Sequence, residues 1–234
     1  PERRLRIARF LCERKLDAMA RVAAQRSWNA PDPQVQRQVE AIRSDILRVQ
    51  QAPSLETLRG LEGIGTRRYY RTLSRHLRPP FAFSQRSRQP PKDPFNSLLS
   101  LGGVLLAHEA VAALVARGLD PYLGFLHASG RGHPALALDL LEPLRPAVVD
   151  RWALSLLNRR VLRSEHFAPR DNGGVYLADP DARRTALRDW RDLLDEPPQA
   201  GVGAPSASAR KALGAFAEDL VRRAGEGLAS GAGT

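Results

Sequence analysis

The sequence predicts an all-α protein, read as one multi-helix domain over residues 1–234. Three observations predict it. Leu, Ala and Arg dominate the chain, and all three favour helix. Aromatic residues make up only 6% and runs rich in Val, Ile and Thr are scarce, which argues against sheet. Apolar residues recur at spacings of three and four between Pro, Gly, Ser and Asp punctuation.

Taken in order, residues 2–25 form an arginine-studded helix with Leu5, Phe10, Leu11 and Met19 at apolar positions, ended by Asn29-Ala30-Pro31-Asp32-Pro33. Val35, Val39, Ile42 and Ile46 mark a second, amphipathic helix. Pro53-Ser54 caps a third, through Leu58, Leu61 and Glu62 towards Leu73. Gly60, Gly63 and Gly65 weaken its propensity but permit close approach of another helix or of a nucleic-acid backbone. Residues 78–92 are a basic, proline-broken loop carrying Arg86 and Arg88. Asp93-Pro94 then caps a helix that is apolar nearly all round, expected as the central buried helix, with Gly118 as its stop. His108 and Glu109 on it read as polar groups at the edge of the core.

Pro134 can open a short helix holding Asp139 and Glu142, and Pro143 and Pro146 mark a bend before helical spacing resumes. Gly173-Gly174-Val175-Tyr176-Leu177 is the one short extended segment. Asp179-Pro180 opens a helix with Leu187, Trp190 and Leu194. A flexible break at 197–208 precedes a last helix with Leu213, Phe216 and Leu220, and 227–234 reads as a disordered tail.

Composition narrows the function classes. A formal charge of +11, carried mostly by arginine, makes nucleic acid the leading class of partner, because the guanidinium fork suits phosphate. The single cysteine, Cys12, excludes an intrachain disulfide and fits a reducing cytoplasm. The longest apolar run, 98–106, is too short to cross a bilayer and no signal peptide opens the chain, so no membrane role is expected. Pro1 in place of an initiating methionine suggests a piece of a longer polypeptide.

His127 ends the run Gly118-Leu119-Asp120-Pro121-Tyr122-Leu123-Gly124-Phe125-Leu126, and Asp139 and Glu142, three apart, project from one face if their segment is helical. An imidazole with one or two carboxylates is an oxygen-rich site with a nitrogen donor. That set suits Mn²⁺ or Mg²⁺ better than a thiolate-rich structural zinc site. His133 lies near in sequence but without a flanking pattern. On its own Glu62 reads as a solvated helix residue, and His127 as a core histidine.

Four blocks change that weighting. Leu61-Glu62-Gly63 with Arg68-Tyr69-Tyr70 comes first, followed by Arg88-Gln89-Pro90-Pro91-Lys92-Asp93-Pro94-Phe95-Asn96-Ser97-Leu98-Leu99-Ser100. Residues 118–127 with Leu136-Ala137-Leu138-Asp139-Leu140-Leu141-Glu142-Pro143-Leu144-Arg145-Pro146 form the third, and 173–177 the fourth. In this order and spacing they resemble the CRISPR-associated spacer-acquisition integrase/endonuclease family, in its C-terminal helical catalytic domain. The resemblance implies a divalent metal, Mn²⁺ or Mg²⁺, held by Glu62, His127 and Glu142 as the catalytic residues, with Asp139 as a close neighbour and further ligand. It also implies double-stranded DNA as substrate, an N-terminal β-rich domain that builds a homodimer, a small bridging partner subunit, and a prokaryotic cytoplasmic location. No β-rich segment is visible in this sequence. Arg67, Arg68, Arg86, Arg88, Arg131 and Arg145 are candidate phosphate contacts.

The expected function is therefore metal-dependent strand transfer by 3′-hydroxyl attack on a phosphodiester, inserting short DNA segments into a repeat array. A non-catalytic basic DNA-binding scaffold and a metal-dependent repair nuclease are the alternatives.

Overall fold

The computed structural model describes residues 2–27, 31–127, 132–195 and 208–225. Arg131, nearly all of the 197–208 break and the 227–234 tail lie outside them. The described residues form eight α-helices and one two-stranded hairpin. The helices are α1 (Glu2–Ser27), α2 (Pro33–Gln50), α3 (Leu55–His76), α4 (Pro94–Val115), α5 (Ala135–Leu141), α6 (Arg151–Asn158), α7 (Pro180–Asp195) and α8 (Ala209–Gly225). The all-α expectation is met.

Side-chain caps set several helix starts. Asp32 accepts from the backbone N–H groups of Gln34 and Val35, Ser54 from that of Thr57, and Asp93 from that of Asn96. Gly118, at φ +68°, follows α4 as expected of a stop that only glycine enters freely. Pro134 stands one residue outside α5 rather than inside it. The first amides of α5 are satisfied instead by the Pro121 carbonyl, which accepts from Leu136 at 2.9 Å and Ala137 at 3.3 Å.

Helices α1, α2 and α3 pack on one another, and α4 packs on α5, α6, α8 and the hairpin. On α1 the buried stripe runs Ala8, Leu11, Cys12, Lys15, Met19 and Val22, the helical spacing of one face with a lysine at its centre. Gly65 of α3 lets this stripe close in: a β-carbon there would stand 2.6 Å from the Leu16 side chain. Gly60 and Gly63 face open space and have no such role. Helix α4 is only partly the central buried helix expected. Phe95, Leu98, Leu99, Leu106 and Leu114 are buried, but Val104 and Val115 are more than half exposed. Its 22 residues are long and apolar enough to cross a membrane by length and composition, which the 98–106 run alone did not suggest.

Between α5 and α6 the chain makes a π-helical turn, Pro146–Asp150. Pro146 has no N–H to return to the Glu142 carbonyl, and the wider turn is the local answer. Gly102 of α4 meets that turn closely, with Val149 2.8 Å from where a β-carbon would sit. The hairpin joins β1 (Phe167–Pro169) to β2 (Val175–Leu177) in antiparallel register, Ala168 opposite Tyr176. Strand β1 was not foreseen. The 78–92 loop is pinned at its middle and its C-terminal end: Pro91 accepts from Val175 at 2.8 Å, while Asn96 accepts from Ser87 N–H at 2.9 Å and donates to the Gln85 carbonyl at 2.9 Å.

Asp93 both caps α4 and accepts from the Asn96 side chain at 2.6 Å. Asp93→Ala is therefore expected to lower stability by about 1–2 kcal/mol in urea unfolding and to speed amide exchange in residues 85–92. Unchanged stability would contradict the pinning.

Candidate metal centre in an arginine-lined cleft

Three elements meet at one ammonium. Lys15 of α1 lies 2.5 Å from Glu62 Oε1 of α3 and 2.6 Å from Glu142 Oε2, just beyond α5. Thr66, one turn after Glu62, donates its hydroxyl to the same Oε1 at 2.8 Å. The side chains of Lys15 and Glu142 are 9% and 6% exposed and that of Glu62 21%, so the acids are gripped largely away from water. Burial works against charge on both Lys15 and Glu142. For Lys15, the two carboxylates overcome it and hold the ammonium protonated above its usual range. For Glu142, Lys15 and then Arg145 hold the carboxyl down at about 2.

His127 is positioned by backbone as much as by side chain. Asp139, fully buried, accepts on Oδ2 from the N–H groups of Phe125 (2.5 Å) and Leu126 (3.0 Å). Its Oδ1 accepts from His127 N–H at 3.0 Å and lies 2.6 Å from His127 Nδ1. Those four contacts take up the lone-pair directions of the carboxylate. Asp139, as it stands, orients His127. Arg4 and Arg59 donate to the Phe125 and Leu126 carbonyls, each at 2.8 Å, and fix the same segment from α1 and α3. Gly124 is required there, because a β-carbon would come 2.8 Å from the Ala135 backbone carbon.

Two clefts flank Glu142. One, of about 470 Å³, is lined by Lys15, Glu62, Thr66, Arg67, Arg88 and Arg145 among others. The other, of about 510 Å³, holds His127 and His133. Arg86, Arg88, Glu142 and Arg145 belong to both. Glu62 lines the first cleft, His127 the second, and Glu142 both. Among the described residues, no three His, Cys, Asp or Glu side chains converge closely enough to hold a metal as they stand. The donor set nevertheless fits a hard divalent cation: two carboxylates already grip one positive charge, and the imidazole has its Nδ1 backed by a carboxylate, the usual support of a histidine that binds metal through its other nitrogen.

The predicted arginines divide. Arg67 and Arg88 are exposed in or beside the first cleft. Arg145 is buried, 4.0 Å from Glu142 Oε1, with its Nε lacking an acceptor. Arg68 is engaged elsewhere, donating to the buried Asp45 at 2.9 Å. Arg86 is engaged by the loop, donating to Asn96 Oδ1 and Ser100 Oγ, each at 2.9 Å, and to the Ser87 carbonyl. Glu109 pairs with Arg210, as befits an edge group. Sequence reasoning missed Lys15. Its signal was a charged residue inside the apolar stripe of α1.

The match to known proteins decides the family. The family model for CRISPR associated protein Cas1 matches residues 1–192. The chain belongs to the Cas1 family. A CRISPR-associated endonuclease Cas1 of Rhodospirillum rubrum is 48% identical over 144 residues, 60% of this chain and 42% of its own length. The chain spans about half the length of the curated Cas1 relatives it matches. A Cas1 protein of Thermotoga maritima superposes with TM-score 0.80 at 24% identity, over 94% of this chain and 65% of the other. A partial Cas6-RT-Cas1–Cas2 complex gives TM-score 0.77 at 26% identity, over 93% and 65%.

Asp150 lines the first cleft, buried, with Oδ1 lacking a donor. Burial pushes its carboxyl up to about 6 despite Arg145 and a hydrogen bond from Tyr69. A carboxyl whose folded value lies above its unfolded one stabilises the fold at low pH, and that contribution is lost as pH rises from about 4 through 6. Asp150→Asn should therefore gain ~2 kcal/mol over the parent at pH 7, shrinking towards pH 4. A gain independent of pH in urea unfolding would contradict this.

Proposed function

We propose that this chain carries the metal-dependent catalytic site of a DNA strand transferase that inserts short DNA segments into a repeat array. The carrying observation is the Glu62 and Glu142 pair closed on a single cation in an arginine-lined cleft, with Glu142 also bordering the adjoining cleft that holds a histidine backed by Asp139. Its relatives' description as CRISPR-associated endonucleases supports the same class of chemistry.

In this reading Glu62, Glu142 and His127 would hold Mn²⁺ or Mg²⁺, with the His127 nitrogen not paired with Asp139 as the donor. When bound, the ion supplies Lewis acidity for in-line displacement at phosphorus. The remaining work belongs to the chain. Asp139 fixes the imidazole tautomer by accepting from Nδ1–H. Arg145, buried beside Glu142, adds positive potential to the cleft. Arg67 and Arg88 hold the DNA backbone without reading sequence. A 3′-hydroxyl attacks one phosphodiester and a 3′-oxygen leaves, so one ester bond replaces another and no nucleotide cofactor is needed. With water as the nucleophile the site is an endonuclease.

Double-stranded DNA is the proposed substrate. A small bridging subunit, supported by the likeness to a partial Cas6-RT-Cas1–Cas2 complex, and a homodimer of the whole protein are the proposed assembly, in the cytoplasm of a prokaryote. One observation favours a non-catalytic scaffold instead: a lysine occupies the space between the two acids. Joining assays separate the readings.

Glu62→Gln, Glu142→Gln and His127→Ala are each expected to reduce joining of a short duplex to a repeat-bearing plasmid by at least a hundredfold in Mn²⁺, with helicity retained. Mn²⁺ should serve at least as well as Mg²⁺, because an imidazole donor suits the transition metal, and Ca²⁺ should fail. Joining by two of these folded variants at the parent rate, or undiminished joining in excess EDTA, overturns the assignment.

Reversing charge at Arg67 and Arg88 together should weaken duplex binding about equally for unrelated sequences and flatten its salt dependence. A sequence-selective loss in a binding titration would contradict a phosphate role. Arg86 is a poor site for this test, since its guanidinium also holds the loop to α4.

A further inference from the structure

Among 36 basic residues only three are lysines, Lys15, Lys92 and Lys211, and one of them stands between the two acids. Resting on the metal reading above, we propose that Lys15 is a built-in competitor for the divalent cation: its ammonium occupies the Glu62 and Glu142 carboxylates and must be withdrawn for the metal to enter.

The contacts themselves make the two cations exclusive. One ammonium touches an oxygen of each carboxylate at 2.5 and 2.6 Å, and a dication seated on those oxygens would face it at close range in a site shielded from water. Two carboxylates this close, one buried and one only partly exposed, would repel one another without a cation, so Lys15 keeps the pair assembled before metal arrives. The residue type suits the task. An ammonium on a four-carbon stem turns away at little geometric loss, whereas a guanidinium grips with a fixed fork. Space for withdrawal adjoins it, since Lys15 and Met19 both border the 470 Å³ cleft. With Lys15 in place, Glu142 is engaged on the Glu62 side while His127 opens on the other cleft, and no three ligand-type side chains converge among the described residues.

The test measures Mn²⁺ binding from the electron paramagnetic resonance signal of free Mn²⁺, with the 234-residue chain and its Lys15→Met variant. The methionine keeps length and apolar stem but removes the charge. Binding is expected to tighten at least tenfold, and Lys15→Arg to weaken it. In parallel, ¹⁵Nζ resonances of the three lysines are followed during Mg²⁺ titration of the parent protein, assigned through Lys92→Arg and Lys211→Arg. The Lys15 signal should move while the other two stay. Equal or weaker Mn²⁺ binding by folded Lys15→Met, or a Lys15 resonance unmoved at saturating Mg²⁺, overturns the proposal. Should Lys15→Met fail to fold, the resonance of the parent decides alone. No Mn²⁺ binding by either protein sinks the metal reading and this inference with it; binding with an unmoved Lys15 sinks only the inference.

Discussion

One buried ammonium ties together parts of the chain that sequence keeps far apart. Removing a charge from water costs several kcal/mol per ion, and the loss is offset only where partners are close and well aligned. Lys15, Glu62 and Glu142 meet that condition jointly and not in pairs: either acid alone with the lysine leaves the other uncompensated. The neighbouring packing reads as what this constraint requires. Gly65 lets α1 lie against α3, so that Lys15 reaches Glu62. Glu142, directly after α5 and still at helical φ −57° and ψ −42°, is carried by that helix to the same spot. Arg145, three residues on, then adds positive potential without replacing the lysine.

The second fixed point is Asp139. A carboxylate held by three backbone N–H groups and an imidazole fixes residues 125–127 and orients the His127 ring. Arg4 and Arg59 complete the fixation from outside by binding the loop carbonyls. Arginine in this protein therefore has two uses. Some guanidiniums hold backbone or buried acids, as Arg68 holds Asp45, and others line the cleft where a polyanion would lie.

The helices were legible because their signals are local. Asp32, Ser54 and Asp93 cap where their side chains can reach the next turn, and Gly118 ends α4 by a backbone angle other residues resist. The hairpin was half legible. Val175, Tyr176 and Leu177 carry a strand pattern, while Phe167, Ala168 and Pro169 are extended only because β2 pairs with them. Of the candidate site, residue types were readable and their geometry was not. Spacing along the chain does not reveal that Asp139 folds back on residues 125–127, nor that Arg86 is held by Asn96. Lys15 had a local signal, a charge in an apolar stripe, but its meaning lies 47 residues away in Glu62.

In the proposed reading Glu62, Glu142 and an Asp139-backed His127 form one divalent-metal site. Electron spin echo modulation of bound Mn²⁺ tests it most directly, because it detects a directly coordinated imidazole nitrogen without requiring any reaction. The account predicts modulation from one imidazole nitrogen in the parent protein, lost in His127→Ala and altered in Asp139→Asn. Bound Mn²⁺ with no nitrogen modulation, or with modulation that survives His127→Ala, would contradict it.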